Sequence, residues 1–428
     1  MRIALFTNTY LPHVGGVARS VKTLEDGCRA LGHQVRVVAP DFDDAAPSPE
    51  VLRIPSIQHF NGSDFSVRLP VPNVVRDFME DFRPDIIHSH HPFLLGDSAL
   101  REAWKMQVPL VFTHHTLYER YTHYVPLDSP ALKRVAVRLA TEYCNLCDQI
   151  IAPSESIQHL LLERGVTTPV VAIPTGIDTG FFAAGDGAGF RDKAGIPRDA
   201  KVIGHTGRLA REKNLLFLAD AVAPCLAEDP SAVLLVVGNG SARAEIAERL
   251  RPHAGPERLR FTGNLSSQHL ADAYAAMDCF VFASQTETQG LVLAEAMAAG
   301  KPVVALDGPG VREIVRDGMN GLLLDGHASP SEFAAALRRL LYDPELFQIC
   351  AANSRASAAA FGTDRCVARV LDCYTGLISS RGPRPDADPT AWDRLLAGIG
   401  VEWSLLVEKM SAAAAAVGET PATEALLD

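Results

Sequence analysis

Long apolar runs and an excess of basic charge are both missing from this 428-residue sequence. No run approaches the roughly 18 apolar residues of a membrane-spanning helix. The apolar start turns polar at Thr7, which is too early for a secretory signal peptide, so we expect a cytoplasmic protein. With 40 Lys and Arg against 51 Asp and Glu, the net charge of −11 argues against a nucleic-acid partner. It also argues against broad attraction to anionic membranes, although a local basic patch remains compatible with it.

Metal-binding patterns are missing as well. The eight cysteines are scattered, and the one close pair, Cys144 and Cys147, has no second pair or suitably spaced histidines to complete a zinc site. Two small apolar residues on one helix face explain that pair better. Ten of the fourteen histidines precede residue 174, but no two lie four positions apart on a recognisable helix. We therefore predict no metal site.

What the sequence does contain is an alternation of buried strands and helices. The chain opens with a strand (Arg2–Phe6), the Gly15–Gly16 loop, a helix from about Ala18 to Leu31 and a second strand (Gln34–Ala39). This is how a Rossmann-like domain begins. The adjacent glycines lack the G-x-G-x-x-G spacing of dinucleotide-binding proteins, and on their own they indicate no more than a turn.

The same alternation continues along the chain. Further strands are predicted at residues 85–88, 109–113, 150–154, 202–208, 233–237, 279–283 and 302–305. Further helices are predicted at residues 130–148, 155–163, 291–299, 331–341 and 365–374. The strand at 150–154 is taken as the last of the first domain, and the segment at 185–195 as an exposed connection. The length and the 47% apolar content then predict an α/β protein with two parallel-sheet domains and some chain left over.

The stretch Ser284–Leu324 concentrates the chemistry. A strand leads into a polar turn with Glu287, and a helix containing Glu295 follows and ends at Gly300. Ligands of such sheets bind beyond the carboxyl ends of the strands. Gly290, at the start of the helix, leaves backbone N–H groups and the positive end of the helix dipole for an anion. Two glutamates alone would indicate only charged residues on a solvated helix.

This stretch resembles the signature of family 4 retaining glycosyltransferases, whose GT-B fold has two Rossmann-like domains and a donor site in the cleft between them. The shared pattern is two glutamates separated by seven residues, then small residues, a glycine and Pro-Val-Val. It continues through residues that this sequence has at Gly308, Pro309, Gly310, Glu313, Asp317, Gly318 and Gly321. The resemblance implies hexose transfer from a nucleotide sugar, retention of the anomeric configuration and no required cofactor.

The resemblance also implies residue roles. Glu287 would hold hydroxyls of the reacting sugar, Glu295 the ribose, and His115 the sugar from the other domain. His114 directly precedes His115 and is the alternative position. The implied donor-binding residues are Gly15, Gly16, Gly207, Arg208, Lys213, Gly238, Asn264, Glu287, Gln289, Gly290, Leu291 and Glu295.

Arg208 and Lys213 have a physical argument of their own. They follow a predicted strand, and two cations at a strand end can neutralise a pyrophosphate leaving group. The resemblance directs this pair at the donor diphosphate, and with His115 and Glu287 it completes the predicted catalytic group. The alternative is an ordinary surface ion pair with Glu212.

The segment after His115 bears on the acceptor. Aromatic and basic residues predicted to contact an acceptor or a membrane are Tyr118, Tyr121, Tyr124, Lys133, Arg134 and Arg138. Aromatic side chains beside a basic amphipathic helix fit a membrane interface, and they also fit a packed helix with a solvated face. The pattern His-Thr-x-Tyr-Glu-x-Tyr, then His-Tyr and Pro, resembles bacterial 1,2-diacylglycerol glucosyltransferases. It implies transfer of glucose from UDP-glucose to a lipid such as diacylglycerol, with peripheral membrane contact.

Two alternatives to lipid glycosylation stay open. The same transfer to a soluble acceptor (a polyol, a sugar phosphate or a disaccharide) fits the acidic overall charge. Nucleotide-sugar epimerases and non-catalytic sugar binders share the implied fold. No pattern in the sequence predicts the oligomeric state.

The predicted domain division follows from these motifs. It assigns residues 1–174 to an acceptor domain, 175–198 to a connection, 199–360 to a donor domain, 361–380 to a helix crossing back, and 381–428 to a linker and helical extension. The last part has an apolar stripe at helical spacing between Trp392 and Ala416. Such a helix would suit a cap on the first domain, an oligomer contact or a membrane contact.

Overall fold

Two parallel β-sheets organise the computed structural model, which describes residues 1–13, 15–42, 44–57, 67–68, 74–120, 130–265 and 268–380. The strands in these ranges are β1 (Arg2–Phe6), β2 (Gln34–Pro40), β3 (Val51–Ile54), β4 (Ser56–Ile57), β5 (Val67–Arg68), β6 (Ile86–Ser89), β7 (Leu110–Thr113), β8 (Gln149–Ala152), β9 (Val170–Ala172), β10 (Lys201–Thr206), β11 (Ala232–Val237), β12 (Leu259–Gly263), β13 (Cys279–Phe282), β14 (Val303–Leu306) and β15 (Gly321–Leu324). The predicted helix between Trp392 and Ala416 lies outside the described residues.

Helices surround both sheets. In the same ranges they are α1 (Gly16–Ala30), α2 (Val74–Phe82), α3 (Leu95–Met106), α4 (Pro130–Asn145), α5 (Glu155–Glu163), α6 (Thr179–Ala183), α7 (Gly187–Ala194), α8 (Leu215–Glu228), α9 (Arg243–Leu250), α10 (Gln268–Ala276), α11 (Leu291–Ala298), α12 (Pro330–Tyr342), α13 (Pro344–Ala358) and α14 (Thr363–Ser379). None of these helices is long and apolar enough to cross a membrane.

Both large sheets are parallel throughout the part of the chain that the structure describes. The first has the strand order β3-β2-β1-β6-β7-β8-β9, and the second has β12-β11-β10-β13-β14-β15. The small strands β4 and β5 form a separate antiparallel pair. Strands β6, β7, β11, β13 and β14 are buried along their whole length, as expected for parallel strands covered on both faces. The predicted α/β fold with two parallel sheets is confirmed.

The order of strands reverses beside β1 in the first sheet and beside β10 in the second. Parallel α/β sheets bind ligands beyond the carboxyl ends of their strands at such a reversal. The loop after β1 leads to Gly15, and the loop after β10 contains Gly207 and Arg208. The fold therefore places the predicted phosphate-binding residues at the two expected positions.

One prediction about the middle of the chain is wrong. The strand at 150–154 is not the last of the first sheet, because β9 pairs in parallel with the outer side of β8. Residues 185–195, predicted as an exposed connection, contain helix α7, which has no buried residue. The Asp186 carboxylate caps that helix by accepting from the Gly189 N–H at 2.8 Å, and Gly195 ends it in a left-handed conformation. Gly187 lets α7 approach α10 closely, since a Cβ there would lie 2.4 Å from the Ala275 carbonyl oxygen.

The C-terminal helix of the described chain packs against the first sheet. Val367, Val370 and Tyr374 of α14 share one buried cluster with residues of β1 and α1. Gly27 of α1 allows this contact, because a Cβ there would lie 2.6 Å from Val367 Cγ2. Although the final described helix lies on the sheet formed by the start of the chain, the exact domain boundaries stay a prediction.

Candidate active site

The turn between β13 and α11 forms the centre of the candidate site. Gly290 starts α11 in a left-handed conformation (φ +73°), which favours glycine. The loop at Gly310 packs so closely on this turn that a Cβ there would lie 2.6 Å from the Gln289 nitrogen. The turn is therefore held in one shape. The first N–H groups of α11 have no partner within the helix, and their dipole favours an anion.

Lys213 and Glu287 form an ion pair between the ends of two neighbouring strands. Lys213 follows β10 in a short 3₁₀ turn, and Glu287 follows β13. Both side chains are largely buried, with 19% and 17% of their surface exposed. Burial alone would raise the pKa of Glu287. The charge of Lys213 and the hydrogen bonds from Lys213 and the Ser284 hydroxyl lower it by more, so that its pKa lies below the ordinary value. Glu287 is thus a carboxylate at neutral pH.

Arg208 forms an ion pair with Glu212, as the alternative interpretation of its role predicts. The carboxylate of Glu212 is buried, whereas the Arg208 side chain is more exposed. This pair lies beside that of Lys213 and Glu287 on the same strand-end segment. Each of the two cations therefore has a carboxylate partner before any anion binds.

The remaining donor-side positions follow strands of the second sheet. Gly207 comes after β10 and Gly238 after β11, with φ values of +155° and +132°. A Cβ on Gly238 would lie 1.9 Å from the Gly207 carbonyl oxygen, so only glycine allows these two loops to touch. Asn264 comes after β12 and is exposed, and Leu291 opens α11. Together these positions lie along the edge of the second sheet at which its strands end.

Helix α1 carries the predicted Gly15–Gly16 pair and contacts the second sheet's helix α11. Gly15 precedes α1, Gly16 opens it, and Arg19, about one turn further, forms an ion pair with Glu295. Glu295 is only 1% exposed, and its second carboxylate oxygen accepts a hydrogen bond from the Tyr274 hydroxyl at 2.7 Å. The sequence interpretation missed Arg19. A cation one helical turn after the glycine pair is the signal that could have found it.

We call the parts of the chain that form the first and the second sheet the first and the second half. Hydrogen bonds join the turn at 287–290 of the second half to residues that precede the second sheet. Thr288 Oγ1 donates to the His115 carbonyl oxygen at 2.8 Å, which brings His115 next to this turn. Gln289 Oε1 accepts from the Thr175 N–H and its Nε2 donates to the Thr175 carbonyl oxygen, both at 2.8 Å. The predicted donor-binding side chain of Gln289 is therefore buried in a contact between the two halves instead of facing the cleft.

His115 is partly buried and belongs to a group of imidazoles whose other two members, His88 and His90, are buried. Its Nε2 lies 2.9 Å from His90 Nδ1, and the His90 ring packs 4.2 Å from that of His88. The Nδ1 of His88 in turn lies 2.5 Å from the Tyr374 hydroxyl. Burial, followed by the neighbouring imidazoles, lowers the pKa of all three histidines, to about 3 for His88, so that they are neutral at pH 7. Across the described ranges, no group of three or more His, Cys, Asp or Glu side chains could hold a metal ion.

His114, the alternative to His115, faces a packed region of the first half. It is buried, and its ring contacts that of Tyr118 edge to face at 5.7 Å. Tyr118 is buried too, which removes its ring from the surface that a membrane would contact and corrects its predicted role there. Tyr121 and Tyr124 lie outside the described residues.

The predicted basic helix is α4, and its three named cations are exposed. They line an open surface cavity of about 410 Å³, which we call the basic cavity. Its lining residues are Glu119, Lys133, Arg134, Val137, Arg138, Thr141, Glu142 and Arg164. Arg164 and Glu119 form an ion pair at 2.6 Å on one side of it.

Comparison with known proteins agrees with this arrangement. The model of Glycosyltransferase Family 4 matches residues 14–181, and that of Glycosyl transferases group 1 matches residues 200–343. An alpha-monoglucosyldiacylglycerol synthase of Streptococcus pneumoniae is 31% identical over 356 residues, which cover 81% of this chain and 80% of that protein. A GDP-mannose-dependent alpha-mannosyltransferase of Corynebacterium glutamicum is 30% identical over 363 residues, covering 82% of this chain and 83% of that protein.

Solved structures share the whole described fold. Anabaena Alr3699/HepE, solved in complex with UDP-glucose, has a TM-score of 0.68 and 22% identity, and the match covers 88% of this chain and 100% of that chain. This likeness confirms the predicted GT-B fold. Because the two family models and the relatives span most of the sequence, the chain belongs to Glycosyltransferase Family 4.

Proposed function

We propose that this glycosyltransferase moves a hexose, with retention, from a nucleotide sugar to a hydroxyl of a membrane lipid such as diacylglycerol. UDP-glucose is the favoured donor. The observation that carries the proposal is the Lys213–Glu287 ion pair in the turn before α11, where the next residue, Thr288, donates a hydrogen bond to the His115 carbonyl oxygen. Cations, a carboxylate and a neutral imidazole are the groups needed around a diphosphate, sugar hydroxyls and the sugar ring. The similarity to a glucosyldiacylglycerol synthase and to a structure that holds UDP-glucose supports the same assignment.

The charges at the site fit departure of a nucleoside diphosphate. Arg208, Lys213 and the N–H groups at the start of α11 would stabilise the negative charge that develops on the leaving oxygen. Glu287 is held by Lys213 and is assigned to sugar hydroxyls, so it is not placed as a covalent nucleophile. We therefore assign a reaction on one face of the sugar. The bond from C1 to the diphosphate oxygen breaks, the acceptor oxygen bonds to C1, and the acceptor proton passes to the departing phosphate.

The lipid acceptor is proposed from the basic cavity of α4. Lys133, Arg134 and Arg138 are exposed on one helix of the half that also carries His115. Each cation near an anionic surface contributes about 1 kcal/mol, so three give useful but reversible attachment. The overall charge of −11 opposes binding weakly, because charges beyond a Debye length of about 8 Å are largely screened at physiological salt.

Transfer to a soluble acceptor is the second candidate, and the acidic overall charge favours it. In that case α4 would be a packed helix with a solvated face. The GDP-mannose-dependent relative keeps another base and another sugar in consideration for the donor.

The test is incubation with UDP-, GDP- and ADP-hexoses against diacylglycerol vesicles, polyols, sugar phosphates and disaccharides, followed by mass analysis. We expect a hexosyl-diacylglycerol from UDP-glucose, and an α-linked product by NMR. A product only with soluble acceptors would replace the lipid assignment. An isomerised nucleotide sugar, or binding without any product, would replace transfer by epimerisation or by a binding role.

A further inference from the structure

Both oxygens of the Glu295 carboxylate are occupied in the structure. Arg19 Nη1 contacts Oε1, and the Tyr274 hydroxyl donates to Oε2 at 2.7 Å. Burial raises the pKa of Tyr274 well above its ordinary value, so the phenol keeps its proton and remains a donor. A ribose that offers two hydroxyls to this carboxylate therefore finds one oxygen taken by a charged partner. Ribose binding at Glu295 therefore competes with Arg19 for this oxygen.

The two partners differ in their freedom to leave. Glu295 is 1% exposed within the second half, whereas 43% of the Arg19 side chain is exposed and reaches across from α1. A buried carboxylate that loses its cation needs other donors, because an unpaired buried charge is costly. Two ribose hydroxyls together with Tyr274 would supply them. Arg19 is therefore the side of the pair that can move.

The geometry also indicates a new partner for Arg19. Arg19 lies about one helical turn after the Gly15–Gly16 pair, near the start of α1. On α11, Glu295 lies five positions after Gly290, which is about 7.5 Å along a helix. A displacement of that order would bring the guanidinium from Glu295 to the start of α11. The planar guanidinium fork suits phosphate oxygens.

We infer that Arg19 exchanges partners when the donor binds, from the Glu295 carboxylate to the donor diphosphate. The inference rests on the proposed function, because it takes the cleft as a nucleotide-sugar site. A nucleoside alone displaces Arg19 and gives it no new partner, whereas a nucleoside diphosphate does. Since a ligand shifts such an equilibrium only by its differential interaction with the two states, Arg19 sets part of the selectivity for diphosphates over nucleosides.

The test measures nucleoside and nucleoside diphosphate affinities by titration calorimetry and by ligand-observed NMR. Uridine with UDP, guanosine with GDP, and adenosine with ADP are compared on the wild-type chain, and the pair that binds is used further. In R19A we expect the nucleoside to bind several-fold more tightly and the diphosphate to bind less tightly. The preference for the diphosphate, measured as the Kd of the nucleoside divided by the Kd of the diphosphate, should fall by about tenfold or more, the size of one charge-assisted hydrogen bond. R19K keeps the positive charge but loses the planar guanidinium group, so its preference for the diphosphate should lie between those of the wild type and R19A.

A mutant cycle identifies the partner. In the E295Q background, the change Arg19→Ala should no longer tighten nucleoside binding, because the ion pair that competes with ribose is already gone. Arg198→Ala is the matched control, since Arg198 forms an exposed ion pair with Asp192 at 2.7 Å on the outer surface. In the Arg198→Ala variant, the affinities for the nucleoside and for the nucleoside diphosphate should match those of the wild type. Circular dichroism confirms that each variant is folded.

Two results would overturn the inference while leaving the proposed function in place. One is an unchanged affinity ratio in both R19A and R19K. The other is weaker nucleoside binding in R19A, which would make the Arg19–Glu295 pair a support for the ribose site and not its competitor. If the wild-type chain binds none of the six compounds and forms no product from any nucleotide sugar, the proposed function fails, and the inference fails with it.

Discussion

The two sides of the cleft handle charge in opposite ways. On the side of the second sheet, Lys213 with Glu287 and Arg208 with Glu212 are ion pairs at the ends of β10 and β13. On the side of the first sheet, His88 and His90 are buried, His115 is partly buried, and all three are uncharged at neutral pH. The difference favours the second half as the side that meets most of the donor's negative charge, with Arg19 of α1 as the one contribution proposed above from the first half. Under the proposed function, the histidines of the first half present the sugar with an uncharged surface.

The largest effect should come from the charged side. Lys213→Ala should lower turnover by about 10²–10³, the size of one preorganised contact to the leaving group. Since Lys213 also holds the buried Glu287, we expect a loss of about 1–3 kcal/mol in the free energy of unfolding. Turnover is therefore measured well below the melting temperature. Lys193→Ala, an exposed lysine on α7, is the control. Normal turnover in folded K213A would mean that the second half does not neutralise the donor.

The second prediction concerns the basic cavity on α4, which we propose binds anionic lipid on the outer surface of the first half. Replacing Lys133, Arg134 and Arg138 by Ser should lower affinity for anionic over neutral vesicles by roughly 10²-fold, from about 1 kcal/mol per cation. Hydrolysis of the donor should be unchanged. The control replaces three exposed cations of the second half, Lys193, Arg198 and Arg251, by Ser. Equal sedimentation of both triple variants with anionic vesicles would remove the membrane role from α4.

The two glutamates sharpen the comparison within the second half. Glu295→Gln should weaken donor binding by about tenfold with a smaller effect on turnover, because an amide accepts hydrogen bonds less strongly than a carboxylate. Glu287→Gln should mainly lower turnover, since its predicted contacts are to the reacting sugar. Calorimetry and steady-state kinetics separate the two effects. Unaltered donor affinity in E295Q would contradict the ribose assignment.

The last prediction concerns the neutral side and its stability. The pKa of His88 is about 3 in the folded chain, compared with about 6.5 for an unperturbed histidine. Below pH 6.5 the unfolded chain therefore binds a proton that the folded chain does not, and stability falls as the pH drops from about 6.5 to about 3. One such group contributes a slope of about 1.4 kcal/mol per pH unit.

His88→Gln should reduce that slope, measured by urea unfolding between pH 4 and 7. The control is His253→Gln, because His253 is exposed and should leave the slope as in the wild type. An unchanged slope in H88Q would mean that His88 is not held neutral by its surroundings.

Local patterns predicted the elements of this fold well. The helix predicted at 291–299 is α11 (Leu291–Ala298), and the strand predicted at Arg2–Phe6 is β1 as it stands. Buried parallel strands are continuous apolar runs, and helix ends have recognisable caps, so both can be read from neighbouring residues. Strand β9 was not assigned to the first sheet, because its membership depends on pairing with β8 and not on its own composition.

The candidate site was predictable at its motif and not at its contacts. The resemblance marks Glu287 and Glu295 as site residues. Local patterns alone would have left both as solvated charges. The pair Arg19–Glu295 joins residues 276 positions apart, and the Gln289–Thr175 contact spans 114. No periodicity relates such residues, so only the packing of the two sheets reveals that Glu295 has a cation partner and that the Gln289 side chain joins the two halves.

The most direct test of the central claim is the yield of nucleoside diphosphate per glycoside formed from UDP-glucose with diacylglycerol vesicles. We predict one UDP for each glucosyl-diacylglycerol in the wild-type chain, little UDP without the acceptor, and a proportional loss of both products in K213A. UDP release that does not depend on the acceptor, or glycoside formation that survives loss of Lys213, would contradict a site in which the second half stabilises the leaving group while the first half receives the sugar.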